Sequence, residues 1–360
     1  MRIPLSFFLV FLALATQAGE RRGFLTGVDA NYSRELAAKG AVWKIAGRKI
    51  ELFPAFRKAG VDSVRVRVWT GQTGPSGLDY AVQVATSAQK AGMKPYLVFF
   101  LNDNWADYVK QPAPASWAGL PLAEKLRKVT AYSEATARAF QRAGVKCDLY
   151  EIGNEIDFGI CGEFEEDWGC RFDILHMETQ VWNRAAQVIL AAEQGIRAVN
   201  PHAKFMLHLT QWWNPDYCTT FARVMRAGGV QLDYVGLTFY PSSGLCPQQQ
   251  FTDLGVSIDK IYAATRCPVI ICEYAYPSQA SFGGQFSTWN HPVESYPLDE
   301  DGQRRWATDF LAYCRGQQHI MGAFYWSPEW YNEDLWPAFA LFRADGEAKP
   351  ALRAFQATPH

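Results

Sequence analysis

Short apolar runs alternate with longer amphipathic stretches along almost the whole chain. Eight of the runs read as strands: residues 24–30, 63–69, 94–101, 148–153, 204–209, 234–240, 268–273 and 320–326. Between them, residues 78–91, 122–143, 178–199 and 303–314 carry apolar side chains at helical spacing. Several such stretches stop at glycine, as in Ala59-Gly60, Ala91-Gly92 and Ala143-Gly144, where glycine relieves the left-handed position just past a helix. Eight strand-then-helix units predict an α/β fold of one domain, a closed (β/α)8 TIM barrel. An open doubly wound sheet is the alternative, but it would want a glycine-rich phosphate loop after its first strand. Phe24-Leu25-Thr26-Gly27-Val28-Asp29 supplies no such loop. The longest irregular regions, residues 102–120, 160–173 and 278–298, all follow strand ends, on the face where a barrel keeps its chemistry.

The first 18 residues stand apart from this rhythm. A short basic start, an apolar run over residues 3–14 and then Ala15-Thr16-Gln17-Ala18 read as a signal peptide cut after Ala18. An uncleaved anchor is the alternative, although the run is short for a membrane span. The division expected is therefore 1–18 signal peptide and 19–360 catalytic barrel, secreted or periplasmic and free of the membrane after cleavage. Export gives weight to the eight cysteines. Cys161 and Cys170 are spaced for a local loop disulfide, Cys218 and Cys246 could tie two loops, and Cys147 and Cys272 suit buried thiols. Because there is no CxxC pair, a cysteine-ligated metal is disfavoured, and neither a metal nor a cofactor is expected. A formal net charge of −1 provides no footprint for nucleic acid. The 13 Trp, 16 Tyr and 23 Phe serve either a large core or stacking platforms for sugars.

Two strand ends carry the chemistry. Leu149-Tyr150-Glu151-Ile152-Gly153-Asn154-Glu155 begins as a buried strand and ends on an amide and a carboxylate. Pro268-Val269-Ile270-Ile271-Cys272-Glu273 likewise delivers one carboxylate at the end of an apolar run. Strands four and seven face one another across a barrel mouth, and a pair of carboxyls there suits glycoside hydrolysis. Glu155 is expected as acid/base and Glu273 as nucleophile; two buried structural acids paired with arginine would be the bland reading. Val64-Arg65-Val66-Arg67-Val68 alternates strictly, so both arginines share the inward face. Arg67, nearer the strand end, is favoured as the cation holding Glu273 ionised. Asn154 could bond a sugar hydroxyl, Tyr240 could donate to the nucleophile, and His208 is either a core histidine or part of the site. Asp29 ends the first strand and could bind sugar hydroxyls, while Trp105, Trp326 and Trp330 are candidate platforms.

The motifs Gly27-Val28-Asp29, Val64-Arg65-Val66-Arg67-Val68-Trp69, Asn104-Trp105-Ala106-Asp107 with Lys110-Gln111, Ile152-Gly153-Asn154-Glu155-Ile156, Glu273-Tyr274-Ala275-Tyr276-Pro277 and Phe324-Tyr325-Trp326-Ser327-Pro328 occur in one order. Together they resemble glycoside hydrolase family 53, the endo-β-1,4-galactanases acting on type I arabinogalactan. The resemblance implies a retaining mechanism, with acid/base and nucleophile falling on Glu155 and Glu273. It also implies an endo-acting cleft on a neutral β-galactan; a related β-glycan is the alternative partner, and a monomer is expected. The chain departs from the family at Val98-Phe99-Phe100-Leu101, where a histidine and an acid are usual, in the segment from Asp157 to Cys170, and at Ser242-Ser243. These departures are expected to lie in the cleft. Some members bind calcium after strand seven; residues 278–301 cluster few acids, so no such site is expected here. A hydrolase of another β-glycan and a barrel that binds glycans without cleaving them are the remaining readings.

Overall fold

The protein is described by a computed structural model covering residues 23–71, 74–247, 250–333 and 335–356. The expected signal peptide lies outside the described residues. Eight parallel strands close into one barrel: β1 (Leu25–Asp29), β2 (Ser63–Val68), β3 (Lys94–Phe99), β4 (Leu149–Ile152), β5 (Lys204–Leu209), β6 (Tyr234–Phe239), β7 (Val269–Tyr274) and β8 (Ile320–Trp326). Each pairs with its neighbour in sequence, and β1 closes on β8 with Leu25 opposite Gly322 and Asp29 opposite Trp326. The predicted strands match these to within a residue or two. The predicted helix at 178–199 divides into a π-helical turn, Met177–Trp182, and an α-helix, Asn183–Arg197. The last unit ends in a 3-10 helix, Pro350–Phe355, rather than an α-helix. Among the described residues, no helix is long and apolar enough to cross a membrane.

Strict alternation along the strands sorts the side chains into two sets. Val64, Val66, Val68, Phe205, Leu207 and Leu209 face outward, into the apolar layer beneath the helices. Inside, the lower barrel is packed with Tyr96, Val98, Phe100, Met206, Ile270, Cys272 and Phe324. This filling is tight. An added Cβ on Gly27 would lie 2.0 Å from the Phe324 ring, so glycine is required for that ring to cross the barrel. Above the apolar plug lies a layer of charge: Asp29, Arg65, Arg67, Glu151, His208 and Glu273, all buried.

One strand breaks the alternation. On β7, Val269 and Ile271 face outward while Ile270 and Cys272 face inward. Continued alternation would send Glu273 outward among the helices. The pairing register shows why it does not. Leu237 of β6 lies opposite Ile271, but Thr238 lies opposite Glu273, so β7 has one extra residue. The same slip appears against β8, where Ile271 pairs with Ala323 and Tyr274 with Tyr325. This β-bulge turns Glu273 into the barrel and returns Tyr274 to the outer layer.

Two expectations about cysteine are corrected. Cys161 is a buried thiol, and Cys170 approaches Asp167 Oδ2 at 3.7 Å, so the two are not bridged. The Cys218 thiol donates to the Gln211 carbonyl, 3.3 Å away, in place of a bond to Cys246. Cys272 is buried and Cys147 partly so, as free thiols.

Gly27→Ala should destabilise the fold by about 1–3 kcal/mol, because the methyl must displace the Phe324 ring from a filled interior. Chemical denaturation monitored by tryptophan fluorescence measures this; an unchanged midpoint would show that the plug has slack.

Candidate active site

The Arg65 guanidinium is the hub of the charged layer. Its Nη1 donates to Asp29 Oδ2 at 2.8 Å and to Glu273 Oε1 at 2.7 Å. Nε and Nη2 form a fork on Glu151, and Nη2 also donates to Asn154 Oδ1 at 2.7 Å. Glu273 therefore meets Arg65, and the expectation for Arg67 is corrected. Arg67 lies one step higher, 3.5 Å from Asp29 Oδ1, with its guanidinium 4.5 Å from the Tyr32 ring centre and 5.2 Å from that of Trp105. The ring faces shield it and favour its charge. Burial works against a charge on Glu151, but Arg65 and His208 outweigh it and hold this carboxyl down at about 2.

Glu155 is reached by a turn. The strand stops at Ile152, Gly153 takes φ +77°, and Glu155 itself sits in the left-handed region at φ 52°. Its carboxylate opens on the cleft, as does that of Glu273. Thr238 Oγ1 donates to Glu155 Oε1 at 2.6 Å, and so accepts from His208 Nε2, 2.8 Å away. This arrangement places a hydrogen on Nε2. His208 Nδ1 lies 3.1 Å from Glu151 Oε1 and 3.2 Å from Asn154 Oδ1. The histidine is thus buried beneath the site and connected to Glu155 through Thr238. Asn154 is fully buried: its amide donates to the Ala106 carbonyl at 3.0 Å while its oxygen serves Arg65. Gln111 Nε2 donates to the Asn154 carbonyl at 2.6 Å.

The two catalytic candidates differ in electrostatics. Burial, then the charge of Glu273 and that of Asp107, push Glu155 well above the usual carboxylate range. Burial also raises Glu273, but there Arg65 and His208 pull the other way. Tyr240 donates its hydroxyl to Glu273 Oε2 at 3.0 Å. Glu155 is thus pushed further toward its protonated form than Glu273 is.

A cleft of about 720 Å³ runs over both carboxyls. Trp105 and Trp326 line it, their ring centres 5.9 Å apart, and Trp336 abuts Trp326 at 4.5 Å. Trp330 instead packs on Tyr32, with ring centres 3.9 Å apart, outside the cleft lining. Asp29 lies beneath the cleft and accepts from Asn31 and Arg65. Phe100 belongs to the inner plug and Leu101 to the outer core, so these two departures lie below the cleft rather than in it. Ser243 does line it. Sequence reasoning missed Thr238, Glu151 and the central role of Arg65. Thr238 shares the inward face of β6 with Tyr240 two residues on, and that alternation was the available signal.

Glu151, His208 and Cys272 come close enough together to suggest a metal site. Their chemistry argues otherwise. Both Glu151 oxygens already accept from Arg65, whose fixed positive charge opposes a second cation, and burial keeps the Cys272 thiol protonated.

Comparison with known proteins gives this arrangement its family. The model of Glycosyl hydrolase family 53 matches residues 25–355. The chain belongs to this family. An arabinogalactan endo-β-1,4-galactanase of Thermothelomyces thermophilus is 28% identical over 310 residues, covering 82% of this chain and 88% of that protein. One from Cellvibrio japonicus is 26% identical, covering 92% and 94%. Among solved structures, a fungal β-1,4-galactanase superposes with a TM-score of 0.78 at 25% identity over 93% of this chain and all of its own. The family 53 catalytic domain of Ignisphaera aggregans does so with a TM-score of 0.79 at 23% identity, over 93% and 96%. The family 53 barrel thus places Glu155 and Glu273 in one cleft, over a shared ionic layer.

Glu151→Gln should expose the energetics of that layer. The folded-state carboxyl titrates near 2 against an ordinary 4.5, so its contribution is fully present above about 4.5 and is lost as pH falls toward 2. The variant should be about 3 kcal/mol less stable than the wild type near neutrality. Denaturation at a series of pH values should show the gap closing below pH 4.5; a gap independent of pH would refute the ionic account.

Proposed function

We propose that this protein is a retaining endo-β-1,4-galactanase in which Glu273 is the nucleophile and Glu155 the acid/base. The observation that carries the assignment is the asymmetry of the two carboxyls: Glu273 accepts from Arg65 and Tyr240, whereas among the described residues the Glu155 carboxyl has no cationic partner and accepts only the Thr238 hydroxyl. The names of its relatives as galactanases support the substrate.

In the first step a Glu273 oxygen attacks the anomeric carbon, and the bond to the glycosidic oxygen breaks as Glu155 gives that oxygen its proton. Since Oε1 is held by Thr238, Oε2 carries the proton. The galactosyl-enzyme ester is then hydrolysed. Glu155, now a carboxylate, takes a proton from water, whose oxygen attacks the same carbon and releases Glu273. The two displacements together keep the β configuration. Asn154 acts as a positioning residue, locking the turn that presents Glu155 against Arg65. A neutral substrate accords with aromatic walls at Trp105 and Trp326. Export, with removal of residues 1–18, and function as a monomer complete the proposal; N-terminal sequencing of the exported protein should begin at Gly19.

Reducing-sugar release should be measured on galactan, mannan, xylan and β-glucan in parallel. Galactan should be preferred, with the β-anomer appearing first by NMR. Glu155→Gln should lower the rate on galactan by about 10²–10⁴ while sparing kcat/KM, which reports the first displacement, on aryl galactosides whose leaving group needs no proton. Glu273→Gln should abolish turnover of both. Full activity in either variant would overturn the assignment, and preference for another polymer would overturn the substrate.

Thr238→Val removes a donor that favours the ionised form of Glu155. The Glu155 pKa should rise, and the alkaline limb of the kcat/KM profile should move to higher pH. A shift to lower pH would contradict the hydrogen-bond direction given above.

A further inference from the structure

Most of the large apolar side chains of this protein are buried. Of those left exposed among the described residues, Val109, Trp168, Phe172 and Leu245 all line the catalytic cleft. Trp168 and Phe172 are the only aromatic ones among them, 48% and 51% exposed. Trp168 belongs to the segment from Asp157 to Cys170 in which this chain departs from the family motifs, and Phe172 follows just beyond it. An exposed aromatic pair on a cleft wall points to a ligand, because the rings would otherwise be better covered.

The wall is built to hold these rings still. The Arg171 side chain is buried, with Nε donating to the Glu165 carbonyl at 2.8 Å. Nη1 and Nη2 reach the carbonyls of Tyr108 and Val109, each at 3.2 Å, and so tie the loop after β4 to the loop after β3. The guanidinium lies 4.0 Å from the Trp168 ring centre, backing one face of the indole. Tyr108 and Phe158 each pack edge-on against Trp168, 6.3 and 6.2 Å away. The segment is anchored on either side: Asp167 Oδ1 accepts from the Gly169 amide at 2.8 Å, and Asp173 caps the next turn by accepting from Leu175 and His176. A surface ring restrained in this way loses little freedom when a ligand covers it.

We propose that Trp168 and Phe172 form a stacking subsite for the departing part of the polysaccharide, beyond the bond that is cut. This rests on the assignment of Glu155 and Glu273 under Proposed function. The side follows from the chemistry. Displacement at the anomeric carbon is in line, so the leaving oxygen points away from Glu273 on β7 and toward Glu155 on β4. The Trp168 loop is the continuation of that same strand, across the barrel from β7. The occupant is a neutral pyranose that presents several C–H bonds on one face. A β-linked galactosyl unit does this, because its axial 4-hydroxyl leaves the hydrogens on C3, C4 and C5 together on the opposite face.

The test uses β-1,4-galacto-oligosaccharides of about six units labelled at the reducing end, alongside a nitrophenyl galactobioside whose aryl group reaches only the first leaving-side position. Trp168→Ala should lower kcat/KM on the oligosaccharide roughly tenfold. It should also move cleavage toward the labelled end, since fewer leaving-side contacts remain, while kcat/KM on the aryl substrate stays as in the wild type. Trp168→Phe should restore most of the loss, and Phe172→Ala should shift the pattern in the same direction. An unchanged cleavage pattern, or an equal fall on both substrates, would overturn the subsite. A wild type that cleaves neither substrate would overturn the galactanase reading and the subsite with it, an outcome distinct from a cleaving wild type with an indifferent Trp168.

Discussion

A fully buried guanidinium governs the architecture of this barrel. Arg65 on β2 is bonded to Asp29 on β1, Glu151 on β4 and Glu273 on β7, and to Asn154 just beyond β4. A lone charge in that position would be prohibitively costly, and any one of these acids without its partner nearly so. Together they satisfy one another and bring distant strands to a common centre. The ionic layer that closes the upper barrel is therefore the layer that biases the protonation of Glu155 and Glu273. Its geometry is supported from below by a plug of aromatic and sulfur-bearing side chains with little room to shift.

The same layer explains how the two glutamates come to differ. Both are buried, and burial alone would leave both protonated. Position relative to Arg65 and His208 separates them, since Glu273 meets the cation directly while Glu155 meets only the hydroxyl of Thr238. His208 has a double role, bonding with one nitrogen toward the charged layer and with the other toward Glu155 through Thr238. The lone histidine in an apolar strand is thus neither a plain core residue nor a cleft-lining one.

The barrel could be read from the sequence because eight short apolar runs alternate with amphipathic helical stretches. Glu155 and Glu273 stood out as carboxylates at the ends of apolar runs. Height along the strand favours Arg67 over Arg65 only if height means closeness to the chemistry. In the fold Glu273 reaches down to meet the deeper arginine. The inward direction of Glu273 was not legible either, for it depends on a bulge at Cys272 that only the pairing of β7 with both neighbours reveals. Phe100 and Leu101 looked like changes to the cleft, but strand alternation sends one into the plug and the other into the outer core. The cysteine spacing suggested bridges, whereas side-chain direction gives separate thiols at Cys161, Cys170 and Cys218. In each case the missing knowledge was orientation, which sequence spacing supplies only where the period is unbroken.

The turn at Glu155 has a wider meaning when set beside two others. Leu101 after β3 and Ser327 after β8 share its left-handed backbone, with φ values of 54° and 46° against 52°. None is glycine, and each such residue is held at a cost of about 1–2 kcal/mol. The sum is an appreciable part of the roughly 5–15 kcal/mol by which domains are stable. All three lie on the face that carries the chemistry. Three of the barrel's strained turns thus stand at its working end. Selection for heat resistance alone would press first on such turns, the one that presents Glu155 among them.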